Sequence, residues 1–123
     1  MARLRDAYFP GTEELGENEM RLTALGTGIP QLRPSQASAA WLLELGNGDT
    51  FFFDMGAGSI MNFAALGIPY SKANKLFLSH LHIDHVGDFG AWYVGGWIER
   101  QADSGVEVWG PSGPTPELGT KYL

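Results

Sequence analysis

The stretch LSHLHIDHVGD (residues 78–88) contains every histidine of the 123-residue chain. The three are His80, His82 and His85, and Asp84 lies among them. In an extended segment, residues two apart point the same way, so His80 and His82 can present their imidazoles to one metal ion. Asp84 and His85 are adjacent and therefore face elsewhere, where they can serve a second ion close by. A binuclear metal site is favoured over a loop of solvated histidines, because such a loop does not explain why histidine occurs nowhere else.

The chemistry of this cluster points to hydrolysis. Imidazole and carboxylate ligands suit zinc first, with manganese or iron as alternatives. Two such ions can bridge one water, lower its pKa towards neutrality, and polarise the oxygen of a substrate. Asp84 is also the candidate catalytic residue, since its carboxylate can orient the attacking water or accept a proton. We therefore expect hydrolysis of a small phosphodiester, sulfate ester, lactone or amide.

Composition narrows the class of protein. Hydrophobic residues make up 44% and charged residues 18% of the chain, which is ordinary for a globular domain with a core. The net charge of −6 counts against a nucleic-acid partner, which usually demands a basic patch. There are no cysteines, so neither disulfides nor a thiolate zinc site can form. No segment is apolar enough for a membrane span or a secretory signal, so we expect a cytoplasmic protein without a membrane partner.

The order of the predicted elements indicates an α/β (α+β) fold with a mixed sheet and flanking helices. Residues 1–19 are turn-rich and are expected to form an extended lead-in to a body over 20–123. Strands are predicted from alternation and from apolar runs, with GNGD (46–49) as a hairpin turn and the third strand buried on both faces. The predicted strands cover residues 20–25, 39–45, 50–56, 75–80 and 106–110.

Capping signals and glycines place the helices. Ser59 is the expected N-cap of a helix over 60–66, which Gly67 ends. A glycine-interrupted helix is expected over 89–100, with Trp92, Tyr93 and Trp97 forming a stripe that faces the core. TPEL (115–118) has the threonine and proline typical of a helix start.

Three motifs together resemble one superfamily. Residues 80–85 match the His-x-His-x-Asp-His signature of the metallo-β-lactamase-fold hydrolases, and a strand leads into them. FDMG (53–56) occupies the place of that superfamily's FDxG strand end. LGTGIP (25–30) resembles the LGTGxP opening of the ribonuclease Z and arylsulfatase-like branch. YFPGTEEL, WGPSG and PELGT are similar to a bacterial subgroup of that branch that includes the hydrolase of guanitoxin biosynthesis.

The resemblance implies an N-terminal half of an αββα sandwich and a role for each motif residue. His80 and His82 would bind the first metal ion, and Asp84 and His85 the second. Asp54 would accept a hydrogen bond from a ligand imidazole and fix its tautomer. The alternative for Asp54 is a strand-end residue that bonds the backbone of GAGS (56–59).

Departures from the family pattern matter as much. The family completes its site with a later histidine, a later bridging aspartate and a final histidine, whereas no histidine follows His85. We therefore expect the N-terminal part of a longer enzyme, inactive by itself, or alternatively a non-catalytic metal-binding domain. FDMGAGS differs from the FDCGEGTQ pattern of ribonuclease Z, which disfavours transfer-RNA 3′ processing. A half-sandwich also leaves an apolar sheet face open, so homo-oligomers are expected.

Overall fold

The computed structural model describes residues 13–100 and 105–123. It confirms the mixed α+β fold class, while most of the predicted lead-in over 1–19 lies outside the described residues. The described elements, in chain order, are β1 (Met20–Gly26), β2 (Ala40–Leu45), β3 (Thr50–Phe53), α1 (Ser59–Ala65), a 3-10 turn (Tyr70–Lys72), β4 (Lys75–Phe77), α2 (Ile83–Val86), α3 (Phe89–Gly95), α4 (Trp97–Arg100), β5 (Glu107–Trp109) and two further 3-10 turns (Pro116–Leu118 and Thr120–Tyr122).

The strands of the described residues form one sheet in the order β1-β2-β3-β4-β5. The first three are antiparallel, and β3, β4 and β5 are parallel. The predicted hairpin joins β2 to β3, with Gly48 at φ +95° in its turn. Because parallel strands point the same way, the carboxyl ends of β3, β4 and β5 meet at one edge of the sheet. That edge carries the histidine segment.

One face of the sheet is packed against the helices. Leu42, Phe52 and Leu76 are fully buried on neighbouring strands. Edge-to-face contacts join the Phe52 ring to Phe63 at 5.0 Å and to Trp92 at 5.9 Å between ring centroids. Such ring pairs stabilise a core beyond the area that they bury. The rest of the buried core consists of Leu25, Ala40, Met55, Ile60, Ile68, Ala73 and Leu78.

The opposite face is partly exposed, and the prediction that β3 is buried on both faces is wrong. Phe53 is 41% exposed. Its ring stacks on Phe77 at 5.4 Å, and Phe77 stacks on Trp109 at 4.6 Å. We call Trp41, Phe53, Phe77 and Trp109 the aromatic face. β3 also ends at Phe53 rather than at residue 56, because Asp54 turns to φ +61° and leaves the extended conformation.

The predicted N-cap of the first helix is also corrected. Gly58 occupies the cap position at φ +86°, and no side chain of its own is available to cap the helix. Ser59 is instead the first helical residue and is buried. Gly67, at φ +68°, ends the helix as predicted.

The later helices follow the predicted boundaries with two differences. α3 and α4 divide at Gly96, as the glycine interruption predicts. Of the predicted core stripe only Trp92 is buried, whereas Tyr93 and Trp97 are exposed. The segment after Thr115 forms a 3-10 turn rather than a helix start, because Gly119 is extended, with φ −112° and ψ 171°.

At the end of α4, Arg100 packs against Trp92, the buried residue of the predicted stripe. Its guanidinium is buried, donates hydrogen bonds to the carbonyls of Trp92 and Tyr93, and lies over the Trp92 ring. Burial lowers the pKa of Arg100, and the neighbouring Tyr70 opposes that shift. Within the described residues, no helix is long and apolar enough to cross a membrane.

Candidate metal centre

Two strand ends position the first half of the site. The segment after β3 is held to β4, because the Asp54 amide donates to the Phe77 carbonyl at 2.8 Å. The segment after β4 is held to β5 by a bond from the Leu78 amide to the Trp109 carbonyl at 2.7 Å. The ends of the neighbouring strands β3 and β4 therefore place Asp54 next to Ser79 and His80.

A short helical turn brings the remaining side chains back to this edge. His82 is the N-cap residue of α2, and its carbonyl accepts from the amides of His85 and Val86. Ligand atoms of His80, His82 and Asp84 all lie within 4.8 Å of one another. The sequence interpretation assigned Asp84 and His85 to a second ion close by, and in the structure the Asp84 carboxylate also lies near the two earlier histidines.

His85 lies next to this group rather than apart from it. Its Nε2 is 3.4 Å from the Asp84 carboxylate, and its ring centroid is 3.9 Å from that of His80. Residues 83–86 are helical, so neighbours along the chain do not simply alternate in direction, and the side chains of Asp84 and His85 both lie at this edge. Which residues bind which ion stays a prediction.

The donor set fits a divalent cation. Asp84 is buried, and its Oδ1 has no hydrogen-bond partner among the described residues. A buried carboxylate oxygen without a partner is costly, and a cation in the group of three ligands would remove that cost. Two imidazoles and a carboxylate are also the ligands that zinc, manganese and iron accept.

Asp54 contacts a histidine of the cluster directly. Its Oδ2 accepts from Nδ1 of His85 at 2.7 Å. The same carboxylate accepts from the Ser79 amide at 2.7 Å and from the Ser79 hydroxyl at 2.8 Å. Because Nδ1 carries the hydrogen, the lone pair on Nε2 of His85 is available to bind a metal ion. Within the described residues the Asp54 carboxylate thus bonds Ser79 and His85, and the alternative of bonds to the GAGS backbone is not what the structure has.

Sequence reasoning missed two polar residues at this edge. The Ser79 hydroxyl lies 3.0 Å from Nδ1 of His80 as well as next to Asp54. The Asp88 carboxylate accepts a hydrogen bond from the Ile60 amide at 3.0 Å. The available signal for Ser79 was its place directly before His80 at a strand end. Asp88 was overlooked because Ser59 was the more obvious candidate to cap α1.

A cavity lies near the carboxyl end of β5 and is not lined by His80, His82, Asp84 or His85. It has a volume of about 560 Å³ and lies in the loop that follows β5. Gly110, one of its lining residues, lies close to the side chain of Leu78, two residues before His80. In sheets with parallel strands, ligands bind outside the carboxyl ends of the strands. Its lining includes Trp109, Pro111, Ser112, Thr115, Thr120 and Lys121.

Comparisons with known proteins agree with this geometry. Residues 20–94 match a family model described as "Anti-Pycsar protein Apyc1". The chain is 37% identical to Ribonuclease Z of Mycobacterium avium over 101 residues, which cover 80% of this chain and 35% of that protein. The chain thus spans about a third of the length of this relative.

Solved structures show the same fold. The short form of human tRNase Z superposes with a TM-score of 0.66 at 26% identity, over 75% of this chain and 35% of that one. The metallo-β-lactamase fold protein YhfI of Bacillus subtilis superposes with a TM-score of 0.65 at 21% identity, over 74% of this chain and 36% of that one. The predicted superfamily and its ribonuclease Z branch are confirmed.

Proposed function

Because the chain belongs to the Anti-Pycsar protein Apyc1 family and to the ribonuclease Z branch of the metallo-β-lactamase-fold superfamily, we propose that its full-length protein is a metal-dependent hydrolase of small phosphodiesters. The observation that supports this most strongly is the grouping of His80, His82 and Asp84, with ligand atoms within 4.8 Å of one another. His85 stands directly beside that group. In this proposal, residues outside these 123 supply the remaining ligands.

The described residues have separate tasks in this proposal. His80 and His82 hold one divalent ion, and Asp84 and His85 reach a second. The ions, for which zinc is our first choice, supply Lewis acidity that activates water and stabilises charge on the substrate oxygen. Asp84 also orients water or accepts its proton. Asp54 keeps Nε2 of His85 turned towards the site.

A small substrate suits the charge of the chain better than a nucleic acid. The net charge is −6, and phosphate backbones are bound mainly through lysine and arginine. The cavity after β5 offers Lys121, Ser112 and Thr120 beside the apolar Trp109. One cation with two hydroxyls matches a single phosphodiester group. Sulfate esters and lactones are alternatives within the same chemistry.

A second candidate function is transfer-RNA 3′ processing of the ribonuclease Z kind. The observation that favours it is the 37% identity to a protein named Ribonuclease Z. The motif FDMGAGS and the acidic balance of the chain disfavour it. A third possibility, from a different class, is a metal-binding domain without catalysis. We also propose that the isolated chain self-associates through its aromatic face.

One experiment separates these possibilities in the full-length protein. Aryl phosphodiester, aryl sulfate, lactone and precursor transfer-RNA substrates are tested with added zinc or manganese. We expect phosphodiester turnover that falls by more than about 100-fold in His80→Ala and Asp84→Asn, since loss of even an outer partner of a metal ligand costs roughly 10–100-fold. Asp49→Asn is the matched control, because Asp49 pairs with Lys75 at the opposite end of the strands.

The outcomes have distinct meanings. Turnover of the transfer-RNA precursor alone would favour the second candidate. Tight metal binding without turnover of any substrate would favour the non-catalytic domain. Phosphodiester turnover that survives both His80→Ala and Asp84→Asn would overturn the proposal.

A further inference from the structure

The turn that carries Asp84 and His85 is held against the segment after β3 by paired backbone hydrogen bonds. The Met55 amide donates to the His85 carbonyl at 2.7 Å. The Asp88 amide returns a bond to the Met55 carbonyl at 3.0 Å. A single residue, Met55, therefore bonds both ends of the segment 85–88.

Two glycines allow this close approach. A Cβ on Gly56 would lie 2.1 Å from the Asp84 carbonyl oxygen. A Cβ on Gly87 would lie 2.9 Å from the Ile83 carbonyl oxygen and 3.0 Å from the Ala57 side chain. The ligand turn and residues 55–57 thus touch backbone to backbone, and a small displacement of one segment displaces the other.

Asp88 fastens this contact to α1. It occupies the N-cap position of α3, yet its side chain makes no capping bond to that helix. Its Oδ2 instead accepts from the Ile60 amide, at the amino end of α1, at 3.0 Å. Gly58, the N-cap of α1, has no side chain to do this, so Asp88 satisfies an amide that the helix leaves unpaired.

We infer that Asp88 is a positioning residue: it clamps the turn bearing Asp84 and His85 onto α1 and so sets where these two side chains meet the metal. The inference rests on the proposed function for the presence of a metal, but not for the substrate. The carboxylate acts through the backbone of residues 55–60 and touches neither ligand side chain in this role.

The test compares two variants of the full-length protein that each remove one side-chain hydrogen bond joining α1 to another segment. Asp88→Ala deletes the bond to the Ile60 amide. Asn62→Ala is the matched control, because the Asn62 amide bonds the Leu25 carbonyl at 2.6 Å and ties the same helix to β1, away from the ligand turn. Zinc affinity is measured by competition with a chelating dye, and the absorption spectrum of the cobalt-substituted protein reports ligand geometry.

We expect Asp88→Ala to weaken zinc binding by roughly 10-fold, the lower end for loss of an outer partner of a ligand. Its cobalt spectrum changes as well. Asn62→Ala lowers the melting temperature but leaves affinity and spectrum as in the wild type. Asp88→Asn retains most of the affinity, because its amide oxygen still accepts from Ile60. If Asp88→Ala does not fold, Asp88→Ser provides the same test, since its shorter side chain cannot reach that amide.

Equal affinity losses in Asp88→Ala and Asn62→Ala would overturn the inference, because both would then reflect general loosening. Unchanged affinity in Asp88→Ala or Asp88→Ser would overturn it as well. A wild-type protein that binds no zinc would instead contradict the proposed function, so the two failures are distinguishable.

Discussion

The two faces of the sheet differ although they are built from the same kind of residue. Phe52 is fully buried and touches Phe63 and Trp92, whereas its neighbour Phe53 is 41% exposed and stacks only along the aromatic face. Strand geometry sends adjacent side chains to opposite faces, so the contrast reflects what covers each face. The helices of this chain complete one layer of a sandwich. Within the part of the chain that the structure describes, the other face leaves Trp41, Phe53 and Trp109 partly exposed, although its composition is that of a buried layer.

The largest expected effect is a difference in the free energy of unfolding between one substitution on each face of the sheet. Phe52→Ala should lower the free energy of unfolding by about 4 kcal/mol, through lost burial and a cavity among packed rings. Phe53→Ala should cost only about 1 kcal/mol, the scale of one ring stack. Urea denaturation of the 123-residue chain measures both.

Similar losses for the two variants would mean that the aromatic face is covered in solution. The same pair in the full-length protein sharpens the comparison. A second sheet packed on the aromatic face would raise the cost of Phe53→Ala towards that of Phe52→Ala.

A second effect concerns association of the isolated chain. Exposed apolar patches of this kind mark contact surfaces, so we expect concentration-dependent self-association. Trp41→Glu places a charge in the aromatic face and should shift the chain to monomers in sedimentation velocity. Tyr93→Glu, on the exposed surface of α3, is the control and should leave association unchanged. A monomeric wild-type chain would contradict the proposal.

Much of the fold follows from local sequence, and the exceptions have local causes. Alternation predicted β1, and GNGD predicted the hairpin between β2 and β3, because these elements depend on near neighbours. The early end of β3 was not predictable, since a non-glycine residue such as Asp54 rarely takes positive φ. The N-terminus of α1 was misassigned because its capping acceptor, Asp88, lies far along the chain and not at Ser59.

The site likewise has features that the sequence predicted and features that depend on the folded structure. The types of candidate metal ligand were readable from residues 80–85, and the link of Asp54 to an imidazole of that cluster was implied by the resemblance. The grouping of Asp84 with His80 and His82 depends on a helical turn of four residues, too short for any periodic signal. Ser79 carries no motif of its own and becomes visible only when β3 and β4 place it beside Asp54.

A smaller effect tests the contacts of Ser79 with Asp54 and His80. The Ser79 hydroxyl donates to Asp54 and lies 3.0 Å from Nδ1 of His80, so Ser79→Ala should loosen the orientation of that ring. We expect zinc affinity to fall by roughly threefold, below the usual range for an outer partner because Ser79 is exposed. Ser79→Thr keeps the hydroxyl and should retain the affinity. A threonine variant as weak as the alanine one would show that the hydroxyl does not matter.

Zinc titration of the 123-residue chain, followed by calorimetry, tests the central claim most directly: that His80, His82 and Asp84 form one group able to hold a cation. We predict weak binding by the wild-type chain. His80→Ala, His82→Ala and Asp84→Asn should each abolish it, while Asp49→Asn should leave it unchanged. Binding by Asp84→Asn with wild-type affinity, or a wild-type chain that holds two ions tightly by itself, would contradict the account.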